Sequence, residues 1–412
     1  MERMEEAVPD TDQQQLQQFL SASSWEEDAV CAQVTREANA ILGGHPDSSL
    51  IIDESGITKK GKHSAGVARQ YNGRLGKVDN CQVGVFSALS HGTEICMIGA
   101  QLYLPKEWTK SAKRCAKVGI PKEKRKHRTK QELALELTAQ AIENGARFSW
   151  VLADAGYGHD LKFCNAMEDQ LHVKFIVGVH KYQRIYWEDP QPAIPERSGK
   201  RGPKPSRLES QVKAAKVEKW AKAQRKSAWT LLTLRDATKG ELRVEVLWRR
   251  VWTWDGRSDK GRQYWLLVQR DPTTHSDYKY ALSNADSRAE GKQLCRQRAQ
   301  RFWVERGFQD AKGQVGMDEY QSRGWRSWNH HMALISMATL FLVEERRLQK
   351  PMRPLLSCTD VLELLCYALP KRKVTDEEML RQLTERHEKR QASIDYHYRK
   401  QKMLDQLRAV SG

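Results

Sequence analysis

The chain has 412 residues and a formal net charge of +17, although residues 1–57 hold twelve acidic side chains and only two basic ones. So large an excess of positive charge over the remaining chain indicates a polyanionic partner such as nucleic acid. The longest apolar run, MALISMATLFLV at 332–343, is shorter than the roughly 20 residues that span a bilayer. The acidic, Gln-rich N-terminus lacks the basic start and apolar core of an export signal. We therefore expect a cytoplasmic protein with no membrane partner.

The eight cysteines do not predict a disulfide framework or a zinc site, since no CxxC pair or regular spacing is present. We expect reduced, mostly buried thiols. The histidines also lack metal-ligand spacing, because His330 and His331 are adjacent and His127 stands alone in a basic segment.

The first part of the chain changes from helical to strand patterns. Apolar residues recur at helical intervals over 13–43, which predicts two short helices separated by the turn SASSW. After GGHPD come three strand-like runs, SSLIID, CQVGVFSAL and ICMIGAQLYLP. The last two are joined by SHGTE, which is typical of a hairpin. These runs predict an antiparallel trio that begins with the strand carrying Asp53.

Helices and strands then alternate. Thr129 followed by Glu132 is a capping-box pattern that predicts a helix over about 130–144. FSWVLAD and HVKFIVGV predict strands, and DLKFCNAMEDQ predicts a helix between them. This order is that of a ribonuclease-H-like α/β core, with a mixed five-stranded sheet and flanking helices. In that order the first and fourth strands end side by side, which places Asp53 next to Asp154.

Composition changes again after about residue 181. The segment Arg197–Lys226 is rich in Lys and Arg and includes SGKRGPKPSR, which has too much Gly and Pro for regular structure. LRVEVLWRRVWTW, QYWLLVQ and KYALSNA alternate like strands of a small antiparallel sheet. We therefore predict five segments: an N-terminal helical segment (1–45), a first part of the core (46–180), a basic, Trp-rich β insertion (181–290), a second part of the core (291–350) and a basic helical tail (351–412).

Three acidic residues lie where a metal-dependent nuclease needs carboxylates. Asp53 ends the run SSLIID, Asp154 ends SWVLAD, and Glu305 lies in the helix-like RFWVERGFQDAK. A carboxylate at the tip of a buried strand has a rigid backbone behind it and open space ahead, so several can converge on divalent cations. Either aspartate alone is explained as well by a turn. Two on neighbouring strands, joined by a glutamate from a helix, favour a metal site.

Basic residues accompany these acids. On a helix, Arg301, Glu305 and Lys312 fall within about 40° of one another, which predicts an active-site helix whose cations hold phosphates. The alternative is an ordinary surface pair between Arg301 and Glu305. We also expect phosphate contacts near the metals from a loop that follows Asp53, with a merely solvated loop as the alternative. The cations of that loop are Lys59, Lys60, Lys62 and His63.

The stretch 106–130 is the most basic short segment between the two aspartates, with eleven Lys or Arg residues against two acids. We expect it to follow the backbone of DNA.

Several motifs carry a resemblance to a known family. They are DESGITKKGKHSAGVARQYNGRLGKVDNCQ (53–82), LYLPKEW (102–108), RTKQELALEL (128–137), ADAGYG (153–158) and ERGFQDAKGQVGMDEYQSRGWRSWNHHMAL (305–334). Together and in this order they resemble bacterial insertion-sequence transposases of the DDE type. More narrowly, they resemble insertion-sequence group 701, which is related to the larger group with a Tyr-Arg-Glu-Lys helix signature.

The resemblance implies a ribonuclease-H-like core with a β-rich insertion and cut-and-paste movement of a DNA element. It assigns Asp53 and Asp154 as the catalytic aspartates and Glu305 as the catalytic glutamate. Arg301 and Lys312 match the Arg and Lys of the helix signature. Arg298 stands where that signature has Tyr, and we expect it to contact DNA as well.

The same resemblance implies cofactors and partners. Two Mg²⁺ ions, with Mn²⁺ able to substitute, are expected on the three acids. The expected partners are double-stranded DNA, as terminal inverted repeats and target DNA, and a second copy of the chain in a synaptic homodimer, at the bacterial nucleoid. Such transposases carry further helical sequence ahead of the segment resembling QQLQQFLSASSW, so the resemblance implies a shortened N-terminus. The alternative function is an inactive, truncated remnant that only binds DNA.

Overall fold

The computed structural model describes residues 9, 11–73, 75–196, 205–237, 240–370 and 374–410. Residues 198–204 of the predicted loop SGKRGPKPSR lie outside these ranges, as do the first eight residues. The chain divides into two compact units. The larger is residues 19–364, and the smaller combines residues before 19 with those after 364.

One mixed sheet contains ten strands in the described part of the larger unit. Its strands are β1 (Ser49–Thr58), β2 (Ala68–Asn72), β3 (Lys77–His91), β4 (Glu94–Leu102), β5 (Trp150–Ala153), β6 (Phe175–Val179), β9 (Thr230–Ala237), β10 (Gly240–Thr253), β11 (Arg262–Arg270) and β12 (Lys279–Ser283). The order across the sheet is β2-β3-β1-β5-β6-β12-β11-β10-β9, and β4 pairs with β3. A separate two-stranded sheet joins β7 (Arg184–Ile185) and β8 (Ala215–Lys216).

Helices precede, connect and follow these strands. They are α1 (Gln13–Ser21), α2 (Glu27–Leu42), α3 (Lys106–Thr109), α4 (Ala112–Lys117), α5 (Lys130–Glu143), α6 (Leu161–Asp169), α7 (Val217–Lys222), α8 (Gly291–Ala299), α9 (Phe302–Gln314), α10 (Trp325–Gln349), α11 (Cys358–Ala368) and α12 (Asp376–Val410). Within the described residues, no helix is both long and apolar enough to cross a membrane. All eight cysteines are free thiols.

Both faces of the sheet are covered by helices. Leu50 and Ile52 of β1 lie in a cluster with residues of α2, α5 and α6, whereas Ile51 lies in a second cluster with residues of α9 and α10. Successive side chains of a strand point to opposite faces, so a strand buried on both sides needs an unbroken apolar run. The run LII at residues 50–52 meets that requirement.

The predicted α/β fold, with a mixed sheet and flanking helices, is confirmed. β1, β3 and β4 form the predicted antiparallel trio. Thr129 and Glu132 form the predicted capping box at the start of α5, with both reciprocal hydrogen bonds present. The two predicted N-terminal helices are α1 and α2.

The sheet is larger than the predicted five strands. The strands of the predicted insertion are antiparallel to one another, but β12 also pairs with β6, so they extend the main sheet instead of forming a small sheet of their own. Strand β2 lies in a segment that the sequence pattern left as a loop. The helix predicted from RFWVERGFQDAK is α9, and a separate helix, α8, ends just before it at Ala299.

Candidate active site

Strand register brings the two predicted aspartates together. β1 and β5 are parallel neighbours, with Ile52 opposite Ala153, so the next residues, Asp53 and Asp154, lie side by side. β5 ends at Ala153, whereas β1 continues to Thr58 and is paired there with β3. The sequence predicted Asp53 at the tip of its own strand, but it lies within β1. It lies where the neighbouring strand stops, which opens space on that side.

Helix α9 supplies the third carboxylate. Val304 and Phe308 are buried beneath it, and the Phe308 ring meets Phe86 of β3 edge-on, with 5.3 Å between ring centroids. These contacts hold the helix across the sheet, and Glu305 is exposed beside them. Asp53, Asp154 and Glu305 all line one cleft of about 780 Å³. We call it the carboxylate cleft.

Arg301 connects two of these acids. It is the residue just before α9, and its guanidinium donates from Nη1 to Asp53 Oδ2 at 2.8 Å and from Nη2 to Glu305 Oε1 at 2.6 Å. The i,i+4 pair with Glu305 was the simple surface alternative from the sequence. The second bond, to a residue 248 positions away, makes Arg301 part of the cleft instead.

Burial and charge act against each other at these groups. The pKa of Asp53 is raised to about 7, chiefly by burial; Arg301 acts to lower it, and the nearby Asp154 acts to raise it. Burial alone would lower the pKa of Arg301, but Asp53, Glu305 and Asp154 raise it above its usual value. Two carboxylates brought together in a poorly solvated cleft thus favour a cation beside them.

The donor set suits a divalent metal, although the side chains are not closed around one. Carboxylate oxygens are the preferred ligands of Mg²⁺ and similar hard cations. Among the described residues, no three His, Cys, Asp or Glu side chains are placed closely enough to hold a metal as they stand. Arg301 lies between Asp53 and Glu305 and takes the position of a cation there. A metal on these ligands would require Arg301 to move.

Two further predicted cations lie beside the carboxylates. Lys312, in the last turn of α9, lines the same cleft and donates from Nζ to Gly56 O at 3.2 Å. Arg298 lines an adjoining cleft of about 570 Å³, together with Asp154, Arg301 and Glu305. Burial lowers the pKa of Arg298 to about 10. Arg301, Glu305 and Lys312, which helical spacing predicted to share one face, therefore all line the carboxylate cleft.

The four cations of the loop after Asp53, predicted to contact phosphates near the metals, do not line the carboxylate cleft. Lys59 donates to the backbone oxygen of Tyr320 and lies over its ring, 4.4 Å from the centroid. Burial lowers the pKa of Lys59 to about 8, and Asp318 opposes this. Lys60 is exposed. Lys62 and His63 line another cleft, without any of the three carboxylates.

Sequence reasoning missed the buried support of the site. Tyr157 is fully buried, and within the described structure its hydroxyl has no hydrogen-bond partner. Burial raises the pKa of Tyr157 well above its usual value, and Glu54, Asp53 and Asp154 add to that rise. Glu54 is paired with Lys130, at 2.7 Å between Oε2 and Nζ. The motif ADAGYG contains Tyr157, but its burial could not be read from spacing.

Two glycines allow the loop after β5 to approach β6. A Cβ on Gly178 would lie 2.7 Å from Ala155 N and 2.9 Å from the carbonyl carbon of Asp154. A Cβ on Gly158 would lie 2.0 Å from Gly178 O. Only glycine fits either position without movement of the backbone that carries Asp154.

Comparison with known proteins now identifies the family. A profile described as DDE superfamily endonuclease matches residues 1–241, which is more than half of the chain. This chain belongs to the DDE superfamily endonucleases. The matched residues include Asp53 and Asp154, and Glu305 lies beyond them. The resemblance stated from the motifs is confirmed.

A second comparison gives a named relative of this DDE superfamily endonuclease. A probable transposase for insertion sequence element IS701 from Microchaete diplosiphon is 32% identical over 170 residues. The match covers 40% of this chain and 40% of that relative. The chain thus spans less than half the length of the relative it matches. Nucleases of the DDE superfamily generally use divalent metal ions, which agrees with the chemistry of the carboxylate cleft.

Proposed function

We propose that this DDE superfamily endonuclease is a transposase that cuts double-stranded DNA at the ends of an insertion element and joins those ends to target DNA. The observation that carries the proposal is the carboxylate cleft. Acids from β1, from the end of β5 and from α9 line one cavity, beside the cations Arg298, Arg301 and Lys312. The relative's description as a probable transposase supports the same activity.

Asp53, Asp154 and Glu305 would hold the metal, as two Mg²⁺ ions or as Mn²⁺ in their place. When bound, such ions polarise the phosphate and stabilise negative charge on the leaving oxygen. The buried floor of the cleft contributes fixed geometry, because Asp53 belongs to a strand paired with β3 and Asp154 directly follows a strand paired with β1.

The cations of the cleft would bind and orient the DNA backbone. Arg298 and Lys312 lie on opposite sides of Glu305 along the chain, and each lines a cavity that Glu305 also lines. Arginine and lysine are the usual partners of phosphate oxygens. Once Arg301 releases Asp53 and Glu305, its guanidinium is placed to bind a phosphate at the same position.

Two successive reactions at one site account for transposition. In the first, a water oxygen forms a bond to phosphorus while the bond from phosphorus to the 3′ oxygen breaks, leaving a 3′-OH and a 5′-phosphate. In the second, that 3′-OH forms a bond to a target phosphorus while the bond to the 3′ oxygen of the target strand breaks. A synaptic homodimer, which brings two element ends together, is part of the proposal.

The test uses the full chain, Mg²⁺ and DNA duplexes taken from either side of the gene. We expect nicks at defined positions and joining of the new 3′ ends to a second duplex, both visible on denaturing gels. Asp154→Asn or Glu305→Gln should lower cleavage by about 10³-fold or more, on the scale seen when an essential catalytic group is removed. DNA binding should remain.

The matched control is Asp160→Asn. Asp160 caps α6 through a bond from Lys162 N, and asparagine caps a helix about equally well, so cleavage should persist. DNA binding without any cleavage by the unaltered chain would instead support the remnant that only binds DNA. A chain that bound no duplex at all would contradict both functions.

A further inference from the structure

A second cleft, with the opposite charge character, lies beside the carboxylate cleft. Its volume is about 890 Å³, and we call it the basic cleft. β2 contributes to both clefts, since Tyr71 lines the carboxylate cleft and residues 68–70 line the basic cleft. The charged residues that line the basic cleft are Lys62, His63, Arg69, Lys113, Arg114 and Lys117, with Glu107 as the one acid.

The cations of the basic cleft are available to a ligand. Lys62, Arg69, Lys113 and Lys117 are exposed, and in the described part of the chain none of them forms an ion pair. Several cations gathered around a single acid repel one another, and a polyanion relieves that repulsion. Elsewhere on the surface cations do have partners, as Arg243 has in Glu241.

The floor of the basic cleft is rigid and joins two segments of chain. Arg114 stacks on the ring of Trp108, 3.7 Å from its centroid, and donates to Lys62 O at 3.0 Å. Trp108 is fully buried and donates from Nε1 to Val67 O at 2.7 Å. These bonds fix the loop before β2 against α3 and α4. The exposed lysines therefore project from a preformed surface.

We propose that the basic cleft binds the phosphate backbone of double-stranded DNA outside the carboxylate cleft, adding affinity while taking no part in the chemistry. This rests on the proposed function, because it assigns a second contact to the same DNA. An open cleft with several exposed cations matches a row of phosphates better than a single small anion. Ser111 lines it as well; its hydroxyl oxygen accepts from Arg114 N, and its O–H can donate to a phosphate oxygen.

A pair of charge reversals with equal change in net charge tests this. The test variant is Lys113→Glu with Lys117→Glu. The control is Arg147→Glu with Lys174→Glu, because these exposed residues precede β5 and β6, at the opposite strand ends from Asp154. Affinity for a labelled duplex of arbitrary sequence is measured by fluorescence anisotropy in EDTA over a range of salt concentrations.

We expect the test variant to bind at least tenfold more weakly at moderate salt. Its plot of log affinity against log salt should be shallower by about two, since two phosphate contacts are lost. The control should change affinity by less than twofold. Equal weakening of both variants, or of neither, would overturn the proposal.

A second measurement keeps the charges of the other residues in place. Lys113→Cys is incubated with duplexes that carry an activated disulfide tethered to one phosphate, so that attack by the introduced thiolate forms the cross-link and releases the leaving thiol. Lys174→Cys serves as its control. We expect disulfide cross-links through position 113 and none through 174. If the chain cleaves DNA normally but does not cross-link at 113, only the DNA-binding role of the basic cleft is overturned. Failure to bind duplex at all would overturn the proposed function.

Discussion

Residues of β2 line both the carboxylate cleft and the basic cleft, but the charged side chains of the two clefts differ in burial and in pairing. In the first, the Asp53 side chain is 12% exposed and paired with Arg301. In the second, Lys113 and Lys117 are exposed, and no ion pair of theirs is found within the described residues. Cleavage needs reacting groups at fixed positions, whereas affinity for a long polyanion depends on the number of nearby cations. Substitutions should therefore act through geometry in one cleft and through charge in the other.

The largest effect on stability is expected at the floor of the basic cleft. Trp108→Ala removes a fully buried ring and should lower the free energy of unfolding by about 3–5 kcal/mol. Chemical denaturation measures it. Trp187, which is 40% exposed, is the matched site, and Trp187→Ala should cost far less. Similar losses at both positions would mean that the floor is not the rigid element described.

The next largest effect is expected from a substitution that tests the geometry of the carboxylate cleft without altering a charge. Gly178→Ala places a methyl group against the backbone at Asp154 and Ala155. We expect a loss of about 1–3 kcal/mol of stability and, because Asp154 shifts, a roughly hundredfold fall in cleavage rate. Gly61→Ala is the control, since a Cβ there meets nothing within 4 Å. Full activity in Gly178→Ala would show that the position of Asp154 tolerates displacement.

A smaller effect tests whether Arg301 competes with metal. Arg301→Ala removes the cation between Asp53 and Glu305. Without divalent ions the melting temperature should fall, because the acids lose their partner. The Mn²⁺ concentration that gives half-maximal thermal stabilisation should fall by about tenfold, corresponding to about 1.4 kcal/mol. Arg306→Ala, which removes a surface pair with Asp310 on the same helix, should leave that midpoint unchanged.

The smallest effect belongs to a single cation of the basic cleft. Lys117→Ala should weaken duplex binding by only a few-fold and reduce the salt slope by about one. Anisotropy titrations detect this, with Lys174→Ala as the unaffected comparison. A loss of binding as large as that of the double reversal would mean that Lys117 makes a specific contact, and the contrast between the two clefts would not hold.

Local signals predicted most of the elements in this fold. The capping box at Thr129 and Glu132 involves residues three apart, so it can be read directly and is present in the structure. The apolar runs of β1 and β5 gave both strands, and their order placed Asp53 beside Asp154. Strand β2 escaped prediction because its sequence, ARQYN, is mostly polar and has no apolar alternation, so its pairing with β3 supplies what its sequence does not signal.

The candidate site was predictable in membership but not in arrangement. Asp53, Asp154 and Glu305 were chosen from strand ends, helical spacing and family motifs, and the fold brings all three to one cleft. The division of the cations between two clefts could not be foreseen, because Lys62 and His63 follow Asp53 closely in sequence. The chain turns away after Thr58, and Trp108 and Arg114 anchor the loop elsewhere.

The sequence by itself determined most of the elements, the family and the acids that define the proposed chemistry, because periodicity, capping and motifs are properties of neighbouring residues. Only the tertiary structure decided that Arg301 lies between Asp53 and Glu305 and that the cations of 62–69 and 113–117 share one cleft. Those arrangements depend on how helices dock on the sheet, which is set by packing between residues far apart in the chain.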